Sequence, residues 1–286
     1  MNCPLITTSS LLFVPGDDNR KLEHAARLGA DALVVDWEDS VLPERKQAAR
    51  ECCGVMERFQ QSGITLFIRV NSFHSEWFED DVAGVSAIRP HGIVLPKCES
   101  REEVRRLVGA LARADAGWPY VLCPMIESAT GLLRVQQIAT ASERVFALGF
   151  GAQDFCLSLG MRITTDEPEL LMARSTIVTV ASAYGLAAID SPSTELNDLQ
   201  TVHKEARRSL ELGFTAKFAI HPKHIPVISR AFLPKPEEVK NAEQIIQQAR
   251  THKKGAFAWR GEMIDEAKLK RARQIIEKSH GKTENL

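Results

Sequence analysis

Ala32-Leu33-Val34-Val35 runs directly into Asp36-Trp37-Glu38-Asp39. A continuous short apolar run suits a strand buried on both faces, as in a parallel sheet, better than the alternating pattern of a half-exposed strand. The same unit recurs along the chain: Leu11-Leu12-Phe13-Val14, Leu66-Phe67-Ile68-Arg69-Val70, Gly92-Ile93-Val94-Leu95, Tyr120-Val121-Leu122-Cys123, Val145-Phe146-Ala147-Leu148, Leu186-Ala187-Ala188-Ile189 and Lys217-Phe218-Ala219-Ile220. Between strand starts near 12 and 217 the spacing averages about 29 residues, the length of a βα unit. Amphipathic stretches at 101–114, 130–141, 167–184 and 198–212 supply helices between them. Eight such units predict an α/β fold, a closed (β/α)8 TIM barrel. A doubly wound sheet is the competitor, because Gly149-Phe150-Gly151 looks like a dinucleotide loop. Its third glycine position holds Asp154, which weakens that reading.

The rest of the chain agrees with one barrel. Its 286 residues are 44% hydrophobic and 26% charged, enough to bury a large core. A net charge of −1 argues against a general nucleic-acid binder, which needs a basic excess to neutralise phosphates. No apolar run approaches the ~20 residues of a membrane span. The opening residues lack a basic start followed by an apolar stretch, so the expected location is cytoplasmic. Cys3, Cys52, Cys53, Cys98, Cys123 and Cys156 show no metal-ligand spacing and read as reduced core residues.

After the eighth strand the pattern changes. A short helix over 223–234 is followed by Pro234-Lys235-Pro236, a helix over 237–252, the apolar segment 255–259 and a last helix over 265–278. The expected domains are a catalytic barrel, 1–234, and a C-terminal helical extension, 235–286. The extension carries 12 Lys+Arg against 8 Asp+Glu, so the barrel is acidic. It reads either as a barrel cap or as an arm reaching a neighbouring subunit.

In such a barrel the chemistry lies where the strands end. Asp36 and Glu38 follow strand two, Arg69 closes strand three, Lys97 follows strand four, Glu127 strand five, Asp154 strand six and Asp190 strand seven. Converging carboxylates repel one another unless neutralised, and they offer only oxygen ligands. That chemistry points to a hard cation, Mg2+ or Mn2+, with Glu127 and Asp154 on adjacent strands as ligands. Arg69 needs an anionic partner in a buried strand; Asp36 or Glu38 could orient it toward a substrate carboxylate or carbonyl. His221 and His224 lack a third ligand for zinc. Ser128 and Ser191 have no histidine nearby. Lys97 and Lys217 leave a Schiff-base aldolase open, and the acid-rich mouth favours a metal-stabilised enolate instead.

The ordered motifs Leu12-Phe13-Val14-Pro15-Gly16, Asp36-Trp37-Glu38-Asp39-Ser40-Val41, Arg69-Val70-Asn71, Val94-Leu95-Pro96-Lys97, Ile126-Glu127-Ser128, Phe150-Gly151-Ala152-Gln153-Asp154, Ala219-Ile220-His221-Pro222 and Gly261-Glu262-Met263-Ile264-Asp265 resemble a known family. It is the citrate lyase β-subunit-like group of the HpcH/HpaI aldolase superfamily, which includes malyl-CoA and citramalyl-CoA lyases. The resemblance implies a homotrimer or dimer of trimers and Mg2+ on Glu127 and Asp154. It also implies substrate contacts from Arg69, Glu127, Ala152 and Phe13, and an acid, Asp265, inserted into a neighbour's site. The implied reaction cleaves a 3-hydroxyacyl-CoA to acetyl-CoA and a 2-oxoacid, pyruvate or glyoxylate. A citryl thioester on an acyl carrier protein and a free 2-oxoacid aldolase are the alternatives; a non-catalytic subunit is a third. Trp37, where the family has Leu, is expected to reshape the pocket; Gln153 replaces a Glu. His24 stands where many members place a lysine that meets CoA phosphates, with Arg20 and Lys21 nearby.

Overall fold

The computed structural model describes residues 8–115, 117–251 and 255–280. Cys3 lies outside them. The strands β1 (Ser10–Pro15), β2 (Ala32–Asp36), β3 (Leu66–Arg69), β4 (Gly92–Leu95), β5 (Val121–Ile126), β6 (Ala147–Phe150), β7 (Ala187–Asp190) and β8 (Ala216–Ala219) are all parallel to their neighbours and close β8 onto β1. The eightfold apolar repeat is therefore a closed barrel, and the doubly wound alternative is excluded. The described residues divide into two compact units, 8–229 and 230–280. The division lies ahead of the 234/235 break expected from the prolines.

Residue parity decides which strand residues enter the lumen, because successive side chains alternate between faces. Phe13 packs on Phe218 with ring centroids 4.9 Å apart, which fixes the inward face. The register Phe13↔Val34, Asp36↔Arg69, Phe67↔Gly92, Val94↔Cys123, Met125↔Gly149 carries that face around the sheet. Asp36 and Arg69 therefore point in, above a lumen filled by Phe67, Cys123, Met125 and Phe218. Gly92 is required there: a Cβ on it would lie 2.1 Å from the Phe67 ring. Asp190 and Lys217, paired in register, have the opposite parity and face the helices.

β5 outruns its predicted apolar segment by continuing through Pro124. The ladder to β6 is interrupted between the bridge Leu122↔Val145 and the pair Met125↔Gly149, so the missing proline N–H falls where no bond is needed. The surrounding helices start as their sequence suggests. Ser100 caps Arg101–Ala114, its Oγ accepting from Glu103 N at 3.3 Å, while Val104, Leu107, Ala110 and Leu111 form the buried stripe. The predicted helix over 130–141 is two pieces, Ala129–Leu133 and Val135–Ala139. Among the described residues no helix is long and apolar enough to cross a membrane.

The second unit packs helices Pro236–Thr251 and Glu266–His280 around Ala242, Ile245, Ile264, Leu269 and Ala272. The apolar segment 255–259 belongs to an antiparallel hairpin, Phe257–Trp259 with Glu262–Ile264. Its two-residue turn has Arg260 and Gly261 both at positive φ, the geometry that matches strand twist.

Candidate active site

Arg69 is the organising residue of the barrel mouth. Its Nε and Nη2 donate to the two oxygens of Asp36 at 2.7 and 2.8 Å, a bidentate pair across adjacent strands. Nη1 donates to Asp39 at 3.3 Å and lies 3.1 Å from Glu38 Oε2. The guanidinium also sits 4.7 Å over the Phe13 ring. Asp36 is itself held by Glu38 N at 2.9 Å and Ser40 N at 3.0 Å, so the loop after β2 fixes the carboxylate that fixes the arginine. Burial works against the Asp36 charge, but Arg69 outweighs it and holds the carboxyl below its ordinary value.

Glu38 is less fully compensated. Burial, the largest cause, raises its carboxyl to about 7, against the opposing pull of Arg69. Its Oε2 is buried without a hydrogen bond, and Oε1 accepts from Lys97 Nζ at 2.5 Å. Lys46, also buried, donates to the carbonyls of Trp37 and Glu38, both at 2.8 Å, anchoring this loop from behind.

Glu127 follows β5 directly and is 4% exposed. Its Oε2 accepts the Lys97 backbone N–H at 2.6 Å. Its Oε1 lies over Gly151, where a Cβ would come within 2.2 Å, and has no described hydrogen bond. Burial pushes the Glu127 carboxyl up to about 8, with Glu38 and Asp154 adding to the rise. Asp154 stands in the first turn of the helix Ala152–Leu159, half-buried beside it, and Ala152 opens that helix at 5% exposure.

Asp36, Glu38, Asp39, Glu127 and Asp154 thus share a mouth that holds two fixed cations, Arg69 and Lys97. Fully ionised, the carboxylates exceed the cations by three charges, and a divalent cation would reduce the excess to one. Among the described residues no cluster of three or more His, Cys, Asp or Glu has metal-holding geometry. Two carboxylates, Glu127 and Asp154, with water and substrate completing the shell, are what the mouth could offer a hard divalent cation such as Mg2+. The unbonded Glu127 Oε1 is the atom that such an ion would satisfy.

Several expectations change. Lys217 is sealed outside the lumen, its Nζ 3.2 Å from Asp190 Oδ2, so it faces no substrate and forms no Schiff base there. Asp190 belongs to the same outer network, with Arg174 Nε at 3.0 Å and Ser209 Oγ at 2.5 Å. Lys97 is ion-paired and its ammonium is stabilised by Glu38, the opposite of an activated amine. Trp37 points outward: Cβ atoms added to Gly16 or Gly84 would meet its ring at 2.6 and 3.0 Å. It wedges the strand-two loop against a helix and does not line the mouth. Asp265 caps the helix Glu266–His280, accepting Lys268 N at 2.9 Å, with its side chain exposed. Arg20, Lys21 and His24 lie exposed on the first helix, Asn19–Ala25.

Sequence reasoning placed Asp39 in the polar run after strand two but gave it no role, and it missed Lys46 and the steric role of Gly151. Gly151 left a signal, as a glycine two residues after the lumen-facing Gly149. A cavity of about 500 Å³ between the helices Phe78–Ile88 and Arg101–Ala114 shares no residue with this constellation.

A model of the HpcH/HpaI aldolase/citrate lyase family matches residues 9–222. Mitochondrial citramalyl-CoA lyase from Homo sapiens is 32% identical over 95% of this chain and 85% of its own length. L-malyl-CoA/beta-methylmalyl-CoA lyase from Cereibacter sphaeroides is 30% identical over 93% of this chain and 92% of its own. Among solved structures, CitE from Mycobacterium tuberculosis in complex with magnesium, acetoacetate and coenzyme A superposes with a TM-score of 0.83 at 27% identity, covering 95% of this chain and 98% of that one.

Proposed function

Because this chain belongs to the HpcH/HpaI aldolase/citrate lyase family and is a carbon–carbon lyase, we propose that it cleaves a 3-hydroxyacyl-CoA of the citramalyl-CoA or malyl-CoA type. The products are acetyl-CoA and a 2-oxoacid, pyruvate or glyoxylate. The observation that carries the reading is the buried Glu127, with one oxygen unbonded and Asp154 beside it, next to the Arg69 clamp.

Glu127 and Asp154 would hold Mg2+, which would lower the pKa of the substrate hydroxyl and offset the charge of the adjacent carboxylate. Glu38, balanced near neutrality, takes the hydroxyl proton. The C2–C3 bond then breaks, C3 becomes the carbonyl carbon of the oxoacid (a ketone in pyruvate, an aldehyde in glyoxylate), and the bonding electron pair stays on C2 as the thioester enolate. Arg69, fixed by Asp36, offsets charge on the oxoacid oxygen. Protonation of the enolate carbon gives acetyl-CoA, and Asp265, supplied by a neighbouring copy, is the acid. Support for an oligomer comes from Leu133, Leu157 and Met172, exposed at 87%, 78% and 66% on helices that follow β5 and β6 and precede β7.

The test is a panel of citramalyl-, malyl- and citryl-CoA with Mg2+, reading released pyruvate, glyoxylate or oxaloacetate. Turnover of the first or second supports the reading. Turnover confined to citryl thioesters, or activity only with added partner chains, rejects it. Full cleavage by Asp265→Asn removes that residue's role.

A further inference from the structure

Lys97 is the residue that the two halves of the mouth share. It follows β4, between the strands that carry Arg69 and Glu127. Its backbone N–H reaches one way, to Glu127 Oε2 at 2.6 Å. Its side chain reaches the other way, over β3, to Glu38 Oε1 at 2.5 Å and Asp39 Oδ1 at 3.2 Å. Both reaches come from a left-handed backbone, φ +50, which a lysine with no local side-chain hydrogen bond does not favour by itself. Conformations of this kind persist where the surroundings over-determine them, and they concentrate at functional sites.

We propose that Lys97 is a positioning residue for the lyase reaction: its ammonium fixes which oxygen of Glu38 faces Arg69, while its backbone holds Glu127 independently of the side chain. The two functions separate physically. With Oε1 taken by Lys97, Oε2 is the oxygen set 3.1 Å from Arg69 Nη1 and left without a hydrogen bond. Without the ammonium, Glu38 is free to rotate and Arg69 faces carboxylates in competing orientations. The Glu127 contact needs only an N–H, which every residue except proline provides.

The inference rests on the lyase reading, so wild-type turnover comes first; its absence overturns both. With the wild type active, Lys97→Ala is expected to lose at least tenfold in kcat, while Mn2+ affinity, read by electron paramagnetic resonance, stays within threefold. The Lys97 side chain is 40% exposed, so a small amine can enter the vacated place. Methylammonium is expected to restore activity saturably, and tetramethylammonium, which has no N–H donor, is expected not to. Lys97→Arg, which keeps the charge and the donors, is expected to recover more activity than Lys97→Met. Unchanged kcat in Lys97→Ala overturns the proposal. So does a loss of activity matched by lost Mn2+ affinity and without amine rescue, which would make Lys97 scaffolding of the metal site alone.

Discussion

Asp36 and Arg69 stand opposite each other in the β2–β3 register, and Arg69 donates two hydrogen bonds to the Asp36 carboxylate, so the sheet itself sets their geometry. Each is the last residue of its strand and both point into the lumen. Arg69→Lys keeps the charge and loses the fork that grips Asp36. The expected outcome is a fall of about 10²–10³ in kcat, the size of losing one well-placed donor to a developing oxyanion, with the fold intact by circular dichroism.

Gly151 has an ordinary extended φ of −112, so only space forbids a side chain there. In Gly151→Ala the new methyl meets Glu127 Oε1 and must displace it. Mn2+ binding measured by paramagnetic resonance is expected to weaken about 10–100-fold, as when the support of a metal ligand is lost. Unchanged affinity would separate Glu127 from the cation.

Glu38, raised to about 7 by burial, acts as a base only when ionised. kcat/KM is therefore expected to rise with pH through an acid limb near 7, and Glu38→Gln is expected to abolish that limb along with most of the rate. A pH profile flat from 6 to about 8 in the wild type would contradict the assignment.

The Asp190 network serves stability. Burial alone would raise its carboxyl, but Lys217 and Arg174 outweigh burial and bring it down to about 2. A depressed folded pKa contributes stability above the unfolded value, lost as pH falls through about 2. Asp190→Asn leaves Lys217 and Arg174 with reduced compensation, and chemical denaturation at pH 7 is expected to show a loss of about 3–5 kcal/mol. The gap from wild type is expected to narrow below pH ~4.

The barrel was legible because each buried parallel strand leaves a short apolar run, and each run stops at a polar residue where the strand meets the mouth. The start of helix 101–114 was readable because Ser100 and Glu103 form its N-terminal cap. Parity was harder. Asp36 and Asp190 both close strands, and only the register separates the lumen residue from the one facing the helices. Trp37 illustrates the same limit, one position from Asp36 and on the opposite face. The left-handed backbone of Lys97 leaves no mark in composition or spacing, since it goes with contacts to Glu38 and Asp39 in the loop after β2 and to Glu127 just after β5 rather than with a glycine.

The most direct measurement is the cleavage of citramalyl-CoA and malyl-CoA by metal-stripped protein, titrated with Mg2+, beside Glu127→Ala and Asp154→Ala. The account predicts acetyl-CoA and oxoacid released in equal amounts, activity that appears with Mg2+ and vanishes with chelator, and no recovery in either variant. Turnover that survives chelation, or that persists in Glu127→Ala, would contradict it.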